Sequence, residues 1–216
     1  SVDRVDVLEQ DGEQFVRVVD YKSGAKAFRL ADIVNGLNLQ MFLYLFNVCA
    51  DGSNPYAGVP AGVLYMHAAR SVMTVETKSS AEKDIAGQED KAFGMNGIVI
   101  TNPDCDIPAA MEHDLAGKYI PVRLKKSGVG GSLASLEQLG LLQRKIEALV
   151  ADMGNALQNG QIGQRPVQAK DHDKTCEYCD FASVCAFKKS VTPRTYDDQT
   201  DSAVLAELEK EGESHA

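Results

Sequence analysis

The chain has 216 residues, 44% hydrophobic and 25% charged, which excludes a disordered chain or a fibre and leaves enough length to bury a substantial core. No run approaches the roughly 18 apolar residues of a membrane-spanning helix, and Ser1-Val2-Asp3-Arg4 lacks the apolar stretch of a signal peptide, so a cytoplasmic setting with no membrane partner is expected. The net charge of -9 argues at first against a nucleic-acid partner, yet seven acids against Lys210 put -6 into residues 196–216 and leave only -3 for the body, which can still present a basic groove.

The first residues already read as the interior of a strand, which suggests a piece of a longer protein. Residues 2–8 and 15–21 are rich in valine and flank the turn signal Asp11-Gly12, so they predict a β-hairpin. Residues 30–50 hold a helix, clearest over 37–46, where nearly every side is apolar and burial is expected. A Gly/Pro-rich loop over 51–60 leads to a core strand at 61–69. The stretch 76–91 is polar and aperiodic and reads as the body of a mobile insertion at 76–95. Residues 97–100 read as a short strand or buried turn, residues 119–124 as another strand, and residues 127–131 as a flexible linker. The clearest helix spans 135–159, with Leu136, Leu139, Leu142, Ile146, Leu149, Val150, Met153 and Leu157 at helical spacing. Ser135 and Gln138 can form its capping box, and Gly160 suits its C-terminal cap. A cysteine-bearing segment at 170–190 completes a first domain, 1–190. The acidic tail, 191–216, is expected as a solvated extension with a short helix over 202–210. There is no internal repeat.

Asp3 lies near the start of the first hairpin strand and Asp20-Tyr21-Lys22 at the end of the second, so the hairpin can bring two carboxylates together beside a lysine. Such a group suits a hard divalent cation, which stabilises charge on a phosphate while the ammonium orients or deprotonates a water. On spacing alone, D-x-K also describes a strand entering a polar turn. Gln40 and Tyr44, four apart, share one face of the following helix. Buried polar groups need partners, so the pair faces a site, or else Gln40 faces solvent and Tyr44 is a core ring with a satisfied hydroxyl. Asp6, at odd spacing from Asp3, points to the opposite face and reads as a structural ion pair.

Cys49 and Cys105 are scattered, whereas Cys176, Cys179 and Cys185 form C-x2-C-x5-C. In a reducing compartment this is no disulfide framework but a chelating site for a soft-ligand metal. Three thiolates are one short of four, and His172 could complete a zinc site. Cys49 and Cys105 read as buried or free thiols. His67 reads as a satisfied strand histidine, with His113 and His215 in loop and tail. No glycine-containing stretch matches a phosphate loop followed by Lys-Ser/Thr, so ATP is not bound by that device.

V-D-R-V-D, then V-V-D-Y-K-S-G, then L-x-L-Q-x-x-x-Y resemble the RecB-type branch of the PD-(D/E)XK nucleases. With C-E-Y-C-D-F-A-S-V-C-A-F near the C-terminus, the chain resembles more narrowly the nuclease domains of the B subunits of AddAB-class bacterial helicase/nucleases, over residues 3–188. The resemblance implies an α/β, restriction-endonuclease-like fold, a mixed central β-sheet flanked by helices. It implies an exonuclease dependent on Mg2+ or Mn2+, working in a recombination-repair helicase complex with an A-type helicase/nuclease partner. Its substrate would be unwound single-stranded DNA, the 5'-terminated strand. Asp3 and Asp20 match the metal-binding aspartates, the Tyr21 carbonyl a further ligand, and Lys22 the catalytic lysine. Gln40 and Tyr44 match the helix pair that borders the active site. Cys176, Cys179 and Cys185 match three ligands of a [4Fe-4S] cluster whose fourth cysteine lies upstream. That cysteine and the helix before the first strand are absent here, so the cluster is expected to be missing or incomplete. Residues 170–190 are then expected to be poorly ordered or zinc-bound, and the fragment weakly active or inactive. Two other readings stay open: a Cas4-like or stand-alone exonuclease, and a non-catalytic DNA-binding or scaffold domain with a vestigial site.

Overall fold

The computed structural model describes residues 2–24, 26–50, 52–68, 93–170, 176, 179–185 and 193–214. Its first two strands, β1 (Arg4–Gln10) and β2 (Glu13–Lys22), form the expected antiparallel hairpin. Asp11 and Gly12 between them take φ of 53° and 85°, both positive as the tight primed turn requires. Where one helix was expected within 30–50, clearest over 37–46, there are two, α1 (Leu30–Val34) and α2 (Gln40–Ala50). Asn38 adopts φ 56° between them, a left-handed conformation that no helix continues through. Helix α2 buries Met41, Phe42, Leu45 and Val48, but Leu43 is exposed.

Strand β3 (Val59–His67) and strand β4 (Met95–Thr101) follow, and the insertion expected at 76–95 lies, as far as residue 92, outside the described residues. A short helix α3 (Ile107–Met111) is capped by Asp106, whose side chain accepts from the Ala109 amide. The 127–131 linker is a correction: β5 (Val122–Lys125) pairs with β6 (Gly128–Gly131) in an antiparallel ribbon. Glycine is a poor strand former by propensity, yet Gly131 is required, because a Cβ there would stand 2.2 Å from the Pro121 carbonyl oxygen. Strand β7 (Leu133–Ser135) runs directly into helix α4 (Leu136–Gln158). The capping box is present: Gln138 N–H donates to Ser135 Oγ at 3.1 Å and Ser135 N–H to Gln138 Oε1 at 2.9 Å. Gly160, at φ 65°, ends the helix as expected.

The central sheet has the order β1-β2-β3-β4-β7. It is mixed: β1/β2 and β3/β4 are antiparallel, β2/β3 and β4/β7 parallel. The chain divides into two compact units, residues 1–28 with 40–139 and residues 29–39 with 140–216. In the first, α2 packs on β2 and β3. A core of Phe15, Val19, Leu64, Val99, Ile107, Ile120 and Val122 forms on the face carrying the odd-numbered β2 residues. In the second lie β8 (Val167–Ala169), α5 (Ala182–Cys185), β9 (Arg194–Tyr196) and α6 (Asp201–Ser214). The tail is therefore not a solvated extension over its helical part. Helix α6 buries Val204, Leu205 and Leu208, and Asp201 accepts from the Leu30 amide at 2.8 Å. The buried Asp32 takes the Tyr196 hydroxyl at 2.7 Å and the Asn38 amide at 3.2 Å, with Arg29 at 3.0 Å. No helix among the described residues is long and apolar enough to cross a membrane.

One buried carboxylate of the first unit is held by backbone alone. Glu112 is 7% exposed and accepts the N–H groups of Lys118, Tyr119 and Ile120 at 2.9 to 3.0 Å. Burial pushes its carboxyl up, and these amides outweigh that and hold it below the ordinary value of 4.5. A depressed folded pKa stabilises fully above that ordinary value, and the contribution is lost as pH falls through the lower folded value. Glu112→Gln should therefore lower stability at pH 7 by about 2 kcal/mol, and the gap from wild type should close below pH 4.5 in a series of thermal melts; a gap independent of pH would overturn the assignment.

Candidate active site

Strand alternation puts Val16, Val18, Asp20 and Lys22 on one face of β2 and Phe15, Arg17, Val19 and Tyr21 on the other. The valines keep the strand buried as far as its last turn of pleat, so Asp20 is only 6% exposed. Arg4 pairs with Val19, and the same register carried one residue outward sets Asp3 opposite Asp20. Asp3 Oδ2 accepts the Tyr21 N–H at 3.0 Å, which ties that carboxylate to the backbone next to Asp20. Lys22 closes the group, its Nζ 2.5 Å from Asp20 Oδ2. That oxygen is buried and receives no aligned hydrogen bond, so the ammonium meets its charge without filling its acceptor capacity.

The next two strands each supply a residue that the sequence reading missed. Asp20 pairs with Tyr65 and Lys22 with His67 in the parallel β2/β3 ladder, and Tyr65 pairs with Asn96 of β4. Asp20, Tyr65 and Asn96 thus form one row across the sheet on one face. Lys22 Nζ lies 5.6 Å from the Tyr65 ring centroid, within cation–π range. Tyr65 is 5% exposed and its ring meets Phe28 at 6.4 Å, which meets Phe42 of α2 at 6.2 Å. Asn96 Oδ1 is buried without a hydrogen-bond partner. The alternation of Val63, Tyr65 and His67 was legible in the strand, but its phase relative to Asp20 was not.

Gln40 and Tyr44 do share one helical face, and Gln40 Nε2 donates to Tyr44 Oη at 2.7 Å. Gln40 is exposed and Tyr44 half-buried. Among the described residues, no hydrogen bond joins this pair to Asp3, Asp20 or Lys22. Asp6 takes the structural role expected of it, with Arg4 Nε and Arg17 Nε each at 2.7 Å. Burial raises the Asp6 carboxyl, but the two guanidinium hydrogen bonds prevail and hold it below the usual carboxylate range.

Among the described residues no group of three or more His, Cys, Asp and Glu side chains converges as a metal site. The donors at hand are all oxygen: Asp3 with one carboxylate oxygen engaged, Asp20 with a buried oxygen lacking an aligned donor. Two carboxylates fit a small hard cation that retains several waters, as Mg2+ does. Cys176 and Cys185 are half-buried and Cys179 exposed, and no disulfide joins them. The Cys179 N–H approaches the Cys176 carbonyl oxygen at 3.5 Å, and Cys185 ends α5. His172 and His215 lie outside the described residues. Burial pushes the Cys49 thiol up to about 11. Cys105 is buried, donates to Gln10 Oε1 at 3.2 Å, and is likewise raised by burial. Of the two thiols expected to be buried or free, Cys105 is buried and Cys49 half-buried.

Comparison with known proteins agrees with this geometry. The pattern of the PD-(D/E)XK nuclease superfamily matches residues 1–186. The chain is 32% identical over 223 residues to the B subunit of the ATP-dependent helicase/deoxyribonuclease of Bacillus cereus, covering 97% of this chain and 19% of that protein. It is 29% identical over 220 residues to the B subunit of the same name in Clostridium botulinum, and 28% over 219 residues to that of a Thermoanaerobacter species, with the same coverage. The chain thus spans about a fifth of the length of the curated relatives it matches. With Asp3, Asp20 and Lys22 gathered on a mixed five-stranded sheet, the chain belongs to the PD-(D/E)XK nuclease superfamily.

Proposed function

We propose that the chain is a Mg2+- or Mn2+-dependent exonuclease module of a cytoplasmic helicase–nuclease that hydrolyses unwound single-stranded DNA during double-strand-break repair, beside an A-type partner subunit. The meeting of Asp3, Asp20 and Lys22 at the end of β2 carries this reading. Nucleases of this superfamily generally use divalent metals, and the relatives, named as B subunits of an ATP-dependent helicase/deoxyribonuclease, support DNA as substrate and a subunit partner.

Asp3 and Asp20, with the Tyr21 carbonyl, would hold the cation. When bound, it supplies positive charge at the scissile phosphate and lowers the pKa of a water. Lys22 holds a proton at Nζ beside that water and balances the charge that develops in in-line attack. Tyr65 is a positioning residue: its ring face holds the ammonium toward Asp20. Gln40 and Tyr44 offer an amide and a hydroxyl to the DNA strand. Cys176, Cys179 and Cys185 would contribute three thiolates to a [4Fe-4S] cluster, whose fourth ligand would have to come from another residue.

Lys22→Ala should slow cleavage of end-labelled single-stranded DNA by at least about 100-fold while oligonucleotide binding, read by fluorescence anisotropy, stays intact; equal rates would remove Lys22 from the chemistry. Asp20→Asn should abolish calorimetric Mn2+ binding and Asp6→Asn should retain it; retention by both would move the metal elsewhere. Tyr65→Leu should lower kcat about tenfold with KM little changed, and Tyr65→Phe, which keeps the ring face, should retain the wild-type kcat; equal kcat in all three proteins would leave Tyr65 a packing residue.

A further inference from the structure

Between Asp114 and Glu137 the chain has four basic residues, Lys118, Arg123, Lys125 and Lys126, and no acid, in a protein whose net charge is -9. The fold gathers them. Arg123 pairs across the β5–β6 ribbon with Gly130, and Lys125 with Gly128, so on that face the basic side chains have no side chain opposite. Lys125 lies across Gly130, its Nζ 3.4 Å from where a Cβ would stand, and the Arg123 Cβ lies 3.2 Å from where a Cβ on Gly117 would stand. Arg123 therefore joins the ribbon to the loop that carries Lys118 and Tyr119. Arg123, Lys125 and Lys126 are exposed, and among the described residues none of the three has an ion-pair partner.

The loop beside the ribbon is held from beneath. Glu112 receives the amides of Lys118, Tyr119 and Ile120, so its backbone is set without using the Lys118 or Tyr119 side chains. Tyr119 is 42% exposed, with the Lys118 ammonium 5.1 Å from its ring centroid. Register places this loop at the active end of the sheet. Tyr21 pairs with Met66, Met66 with Met95, and the Met95 N–H donates to the Tyr119 carbonyl at 2.8 Å. Three steps of about 4.8 Å separate Tyr21 from Tyr119, roughly 14 Å. That is about four stacked nucleotides at roughly 3.4 Å each, the lower end of a single-strand site.

We infer that the β5–β6 ribbon and the loop bearing Lys118 and Tyr119 form a second contact surface for single-stranded DNA, Tyr119 stacking a base and Arg123, Lys125 and Lys126 holding phosphates on the strand that leads to Asp20 and Lys22. The inference rests on the nuclease reading for the strand's destination, but its binding chemistry can be read without cleavage. In the full-length protein, anisotropy with a labelled oligothymidylate of about 20 nucleotides, in EDTA, gives affinity against salt. Replacing Arg123, Lys125 and Lys126 together by serine should reduce the slope of log K against log salt by about 2, near 0.7 per lost phosphate contact. Tyr119→Leu should weaken binding about tenfold without changing the slope. All four side chains are exposed, so thermal melts should match wild type. A wild-type protein that binds with this salt slope but cleaves nothing would overturn the nuclease reading and leave the surface standing. Cleavage by wild type with unchanged slope and affinity in both variants would overturn the surface alone, as would displacement of the oligonucleotide by polyglutamate at equal charge concentration, which would assign the ribbon to an acidic protein.

Discussion

The register of β2 between its two neighbours governs the chemistry of the first unit. Because side chains alternate along a strand, a slip of one residue would carry Asp20 and Lys22 to the opposite face and bring Val19 and Tyr21 in their place. The turn at Asp11 and Gly12 sets the pairing with β1 and so brings Asp3 to the Tyr21 amide. On the other side, β3 carries an extra residue where Val16 pairs with Pro60 and Arg17 with Gly62. That bulge reverses the phase of β3. Beyond it Leu64 and Met66 join the apolar face with Val19, and Tyr65 and His67 stand beside Asp20 and Lys22.

Four acids of this protein, Asp6 half-buried and Asp20, Asp32 and Glu112 buried, are held in four different ways, and the differences bear on what each can do. Asp6 is gripped by two guanidinium groups, Asp32 by a phenol, an amide and an arginine, and Glu112 by three backbone amides. Those three are satisfied locally and serve as framework. Asp20 is different. It has the ammonium of Lys22 and one oxygen without an aligned donor, an arrangement that is costly in a folded core and leaves coordination capacity at the place where Asp3 arrives.

Net charge says less about partners than its arrangement. Five of the seven acids of the C-terminal stretch are carried on α6, whose apolar side is buried with Leu30 and Ile33 in the core of the second unit. Four bases of the first unit, Lys118, Arg123, Lys125 and Lys126, collect on a glycine-rich ribbon and the loop beside it. A chain with an excess of acid can therefore still offer phosphates a local positive surface, since exposed charges more than about 10 Å apart are largely screened from one another at moderate salt.

Much of the geometry of the candidate site was legible in the sequence because its signals are local. Asp-Gly between two valine-rich runs specifies a hairpin, a hairpin brings its far ends together, and D-x-K sits at one of those ends. Ser135 with Gln138, and Gly160, mark helix ends through bonds made within one turn. The sequence alone could not phase Tyr65 and Asn96 onto Asp20's row, since a bulge and two ladders decide that. Nor could it make a strand of Gly128, Val129, Gly130 and Gly131, whose order comes from hydrogen bonds to β5 rather than from propensity, or a packed helix of an acidic tail whose few apolar residues find their partners only in the folded unit. Features set by chain neighbours were written in the sequence. Strand register and distant packing were decided by the tertiary structure, because those contacts join residues whose pairing no local pattern encodes.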